Sequence, residues 1–105
     1  MKIAITSTGN GLKSKLDPRF GRCSYFAIYD TETKETEFFK NPNKEAMEGA
    51  GPATVQFIAE KGIKKIIGAE FGIKAKPLLD SLKIQIIVYK EPDKNIEEII
   101  AMLNQ

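Results

Sequence analysis

The stretch Pro52-Ala53-Thr54-Val55-Gln56-Phe57-Ile58-Ala59-Glu60-Lys61-Gly62-Ile63-Lys64-Lys65-Ile66-Ile67-Gly68-Ala69 contains the change of hydrophobic period that decides the fold. Pro52 suits the first turn of a helix running to about Lys61, with Val55, Ile58 and Ala59 on its inner face. Gly62 is placed to cap the end of that helix, and Ile63 to Ala69 then reads as a buried strand. A helix feeding a buried strand points to an α/β architecture.

Downstream, Ala75, Leu78, Leu79 and Leu82 recur at i, i+3, i+4 and i+7 and mark a second amphipathic helix, its start blurred by Pro77. Ile84 to Tyr89 reads as the last strand. Asn95 with Glu98 three residues later predicts a capping box, and Ile96, Ile99, Ile100 and Leu103 form the stripe of a final helix. Upstream, residues 2 to 7 alternate through Ile3 and Ile5 and break at Thr8-Gly9-Asn10-Gly11, a first strand entering a Gly-rich loop. Residues 24 to 30 and 35 to 40 flank Thr31-Glu32-Thr33-Lys34 as a hairpin, and residues 41 to 51 read as an irregular loop. The order is βββαβαβα. Right-handed crossovers make strands 1, 4 and 5 parallel, giving a mixed five-stranded sheet of order 3-2-1-4-5 with an antiparallel hairpin edge and three helices. Without repeats or a linker, residues 1 to 105 are expected to form a single domain.

Composition narrows the function. The chain is 42% hydrophobic and 29% charged, and its 16 basic and 14 acidic residues leave a net charge of +2, which argues against a nucleic-acid binder. It has no His, which removes Ser-His-Asp and Cys-His hydrolases in their standard forms and Cys2His2 zinc sites. A lone Cys forms no intramolecular disulfide, and Ile3-Ala4-Ile5 is too short for a signal peptide or membrane span, so the cytoplasm is the expected location. Lysines 61, 64, 65, 74, 76 and 83 read as a solvated face rather than a nucleic-acid surface. A metal-dependent nuclease needs clustered carboxylates, and the first strand offers Ile3, Ala4, Ile5 and Thr6 instead.

The chemistry-bearing stretch is Asp17-Pro18-Arg19-Phe20-Gly21-Arg22-Cys23. Arg presents a planar fork of donors suited to anions, and a nearby cation lowers a thiol's pKa toward the thiolate. In the expected topology the loops Ser7 to Cys23, Asn41 to Pro52 and Glu70 to Ile73 meet at one sheet edge, the side where ligands bind α/β sheets. Two of them lead into helix N-termini, which favour anions. Gly9, Gly11, Arg19, Arg22, Cys23, Gly49, Gly51 and Gly72 are therefore the candidate binding residues. Each also has a structural reading. The glycines serve turns, Cys23 is a small buried hydrophobe, Arg19 and Arg22 brace the loop through Asp17, and Phe20 is a core anchor.

Met1-Lys2-Ile3-Ala4-Ile5, Arg19-Phe20-Gly21-Arg22 followed by Tyr25-Phe26, Gly49-Ala50-Gly51 before a helix, and Gly72 before another closely resemble the dinitrogenase iron-molybdenum cofactor biosynthesis family. The resemblance spans nearly the whole chain. It implies a ribonuclease-H-like three-layer fold and a non-enzymatic carrier or chaperone, like NifX-like and NafY-like members, for an anionic metal-sulfur cluster. The implied cargo is an iron-sulfur or molybdenum-containing cluster, exchanged with donor or acceptor proteins. Some members carry a His where Met47 and Glu48 stand here. Its absence leaves Cys23 and Met47 as candidate metal ligands, or Arg and backbone N–H contacts to sulfide and oxo groups. The alternatives are a module for a phosphorylated metabolite or nucleotide, using the same loops, and a protein-interaction module without a cluster.

Overall fold

Alternation along the first strand places Ile3 and Ile5 on one face and Ala4 on the other, and all three are buried. A strand buried on both faces belongs at the centre of a sheet covered on both sides. A computed structural model, describing residues 1–105, bears this out. The elements are β1 (Lys2–Ser7), β2 (Tyr25–Asp30), β3 (Thr36–Lys40), α1 (Ala50–Glu60), β4 (Ile63–Gly68), α2 (Ala75–Ser81), β5 (Gln85–Val88) and α3 (Ile96–Leu103). The sheet order is β3-β2-β1-β4-β5, with the β3-β2-β1 pairings antiparallel and the β1-β4-β5 pairings parallel. This is the mixed five-stranded topology that the hydrophobic pattern predicts.

Two cores follow from the two faces. On the Ala4 side, Val55 and Ile58 of α1 and Ala75 and Leu79 of α2 pack with Phe20, Phe26, Ile28 and Ile66. On the other side, Ile96 and Ile99 of α3 close over Ile3, Ile5, Ala27 and Ile67. The predicted capping box starts α3: the Asn95 side chain accepts from Glu98 N–H at 2.8 Å and the Glu98 carboxylate accepts from Asn95 N–H at 3.0 Å.

Boundaries differ from the sequence expectation for local reasons. Helix α1 begins at Ala50, so Pro52 is its third residue. Pro77 occupies the third position of α2. Neither proline interrupts its helix, since N–H groups of the first turn have no intrahelical acceptor. The four-residue stripe of the second helix is only half used. Ala75 and Leu79 are buried, whereas Leu78 and Leu82 stay 40% and 50% exposed on this short element. No helix is long and apolar enough to cross a membrane.

Candidate functional site

Residues 15 to 20 position the site by folding back along the sheet. Thr6 Oγ1 donates to the Asp17 carbonyl at 2.6 Å, and Asp17 N–H donates to the Thr6 carbonyl at 3.0 Å. Beyond the end of β4, Glu70 N–H donates to the Pro18 carbonyl at 2.8 Å and Phe20 N–H to the Glu70 carbonyl at 2.9 Å. Phe20 is buried against Phe26 and Phe71, with ring centroids 5.9 and 5.4 Å away, so it is the core anchor. These backbone bonds and the buried Phe20 ring thus position Arg19 and Gly21.

Gly21 presses against the start of α1. A Cβ there would lie 3.1 Å from the Gly51 nitrogen and 3.2 Å from its Cα, a tight contact that the helix start would have to shift to accommodate. Its carbonyl accepts from Asn41 Nδ2 at 3.0 Å and Thr54 Oγ1 at 3.1 Å. Gly49, at φ 72°, turns the chain into α1 with no side-chain cap, and the left-handed conformation favours glycine there. The first N–H groups of α1 are therefore uncapped by any side chain.

Residues 19–22, 49–52 and 70–75 together line a cleft of about 370 Å³, within the usual range for small-ligand sites. Its charged residues are Arg19, Arg22 and Lys74 against Glu70, so the lining is net cationic. The Arg19 side chain, 55% exposed, is steered by the buried Asp17 carboxylate, which accepts from Arg19 N–H at 3.0 Å and Nε at 3.5 Å. Arg22 does not pair with Asp17. Its Nη1 donates to the carbonyls of Lys44 at 3.2 Å and Ala46 at 2.6 Å, holding the segment that leads to Gly49.

Of the candidates read from sequence, Arg19, Arg22, Gly49, Gly51 and Gly72 line this cleft. Gly9 and Gly11 do not. They form a separate turn in which Ser7 Oγ donates to the Gly9 carbonyl at 2.7 Å and Gly11 N–H donates to Ser14 Oγ at 3.3 Å. Cys23 needs a larger correction. It is fully buried in the Ala4-side core, off the cleft wall, and burial, reinforced by the Asp17 charge, pushes its thiol up to about 12. A thiol so placed is neutral and offers no thiolate to cargo in the cleft. Met47 is 99% exposed and also outside the lining. No group of three or more His, Cys, Asp or Glu side chains is arranged to hold a metal ion. The sequence reading missed Gly21, Glu70 and Lys74. Gly21 stood inside the quoted Arg-Phe-Gly-Arg motif, whereas Lys74 was absorbed into a solvated lysine face.

Comparison with known proteins bears on the fold and the family. The family model described as dinitrogenase iron-molybdenum cofactor matches residues 1–105. An uncharacterised protein of Methanocaldococcus jannaschii is 34% identical over 105 residues, covering 97% of this chain and 84% of that protein. Among solved structures, the apo form of the orange protein from Desulfovibrio gigas superimposes with a TM-score of 0.90 at 27% identity, covering 98% of this chain and 86% of that one. A putative NifB protein from Thermotoga has a TM-score of 0.83 at 31% identity, with the same 98% and 86% coverage. The match over all 105 residues, together with this shared fold, makes the chain a member of the dinitrogenase iron-molybdenum cofactor family.

Proposed function

We propose that the chain is a non-enzymatic carrier or chaperone whose cargo is an anionic metal-sulfur cluster, iron-molybdenum cofactor-like or related, seated in the cleft formed by residues 19–22, 49–52 and 70–75. The observation that carries this reading is the donor set: Arg19, Arg22 and Lys74 beside the uncapped start of α1, with no thiolate or imidazole. Such a set cannot complete the coordination sphere of a bare metal ion. It suits a cluster that arrives with its own sulfide shell, because guanidinium, ammonium and backbone N–H groups bind outer sulfide and oxo atoms without replacing a ligand. Arg19, Gly49, Gly51, Gly72 and Lys74 are the proposed contact residues, and Arg22 both lines the cleft and braces it. Membership of a family named for the iron-molybdenum cofactor favours this class of anion over a phosphorylated metabolite. Cluster donors and acceptors are the proposed partners.

Anaerobic incubation with tetrathiomolybdate, a soluble anionic metal sulfide, tests the reading. Gel filtration, visible absorption and metal analysis should find molybdenum and sulfide co-eluting with the chain, and excess inorganic phosphate or ADP should not displace them. Retention of ADP in preference to the thiomolybdate would assign the cleft to phosphorylated ligands instead.

A further inference from the structure

Strand β5 is an edge of the sheet, and it differs from the opposite edge. β3 carries Glu37 and Lys40, charges of the kind that discourage further pairing, whereas β5 reads Gln85-Ile86-Ile87-Val88 and leaves Val88 56% exposed. Tyr89 N–H donates to the Gly68 carbonyl at 2.8 Å, continuing the parallel ladder in which Ile87 pairs with Ile67. Odd-numbered positions therefore turn their backbone groups toward β4, and Ile86 and Val88 turn theirs outward.

A hollow lies on each side of this strand. On the α3 side, Ile67, Ile87, Tyr89, Ile99, Met102 and Leu103 line an apolar hollow of about 170 Å³. On the α2 side, Ile86, Val88 and Phe71 line one of about 230 Å³ together with Lys76 and Lys90, with no carboxylate in the lining. A strand added beside β5 would lay alternate side chains over these two hollows, apolar ones on the α3 side and acidic ones on the α2 side. We propose that the β5 edge is a docking site for an extended segment of another protein in which apolar and acidic residues alternate. A second copy of this chain fits less well, because pairing β5 with itself brings Lys76 and Lys90 of both copies onto one face. The proposal does not depend on what the cationic cleft carries.

The test uses the full chain and a fluorescein-labelled synthetic decapeptide alternating Val and Glu, with a Val-Lys counterpart as control. Anisotropy should show binding of the Val-Glu peptide at least about tenfold tighter than the Val-Lys peptide. In the isotope-labelled protein, bound peptide should slow solvent exchange of the Ile86 and Val88 amides and leave the Ile87 amide, already facing β4, unchanged. Val88→Pro removes an outward donor and should weaken binding about tenfold or more, with circular dichroism reporting the fold. The double variant Lys76→Glu with Lys90→Glu alters only exposed side chains, and it should reverse the preference to the Val-Lys peptide. Absence of binding, equal affinity for both peptides, or binding without a change at Ile86 and Val88 overturns the proposal. So does concentration-dependent protection of those amides without peptide, which would make a second copy the occupant.

Discussion

Arg22 Nη1 donates to the Ala46 carbonyl at 2.6 Å, a charge-assisted bond that ties the loop after β1 to the segment preceding α1. Through it, and through the second bond to Lys44, one guanidinium sets the position of the cleft wall that carries Gly49. Arg19 has no such duty. The two arginines of the motif therefore divide into a brace and a half-exposed donor held only at Nε by Asp17.

Arg22→Ala should consequently lower stability by roughly 1.5–3 kcal/mol, the range for hydrogen bonds to charged groups. Arg19→Ala removes only a 3.5 Å contact between a half-exposed guanidinium and the buried Asp17 carboxylate, which keeps its bond from the backbone N–H of residue 19, and should cost less than Arg22→Ala. Urea unfolding of both variants checks this, and equal losses would remove the distinction.

Gly21→Ala should destabilise the fold by roughly 1–3 kcal/mol, since the new methyl meets the backbone of Gly51 rather than a side chain that can swing away. Gly11→Ala, at a position with open space around a Cβ, is the control and should cost little. Thermal unfolding of the pair gives the comparison.

The Cys23 thiol makes a pH-dependent contribution with a definite sign. Its ordinary value of 9.0 is raised to about 12 in the fold, so above pH 9 the unfolded chain releases a proton that the native chain retains. The stability associated with the protonated thiol is complete below pH 9 and declines as pH rises from 9 toward 12. Cys23→Ala should flatten that part of the stability profile relative to wild type. A thiol reagent at pH 8 should label the native protein only at the rate at which it unfolds, and rapid stoichiometric labelling would place the thiol at the surface.

The strand order was legible because it rests on local signals: the alternation at Ile3 and Ile5, the hairpin around Thr31–Lys34, and the helix-to-strand switch at Gly62. Right-handed crossovers then leave few arrangements. The start of α1 was misplaced because Gly49 supplies the turn with its backbone alone, with no side-chain cap to advertise it. The cleft was legible where Arg19, Gly51 and Gly72 mark it, but adjacency in sequence says nothing about which side of the backbone a side chain occupies. Arg22 reaches the cleft while its neighbour Cys23 enters the core. Lys74 was hidden for another reason. It lines the cleft beside Glu70, whose backbone bonds Pro18 and Phe20, and those contacts join residues about fifty positions apart.

The central claim, that an anionic metal sulfide is held by the free donors of the cleft, is tested most directly by anaerobic equilibrium dialysis of tetrathiomolybdate against wild type, Arg19→Ala and Cys23→Ala. Wild type and Cys23→Ala should retain molybdenum alike, because the thiol is buried off the cleft, whereas Arg19→Ala should lose affinity by about 10- to 150-fold, the equivalent of roughly 1.5–3 kcal/mol. Equal retention by wild type and Arg19→Ala, or loss of retention in a folded Cys23→Ala, would contradict the account.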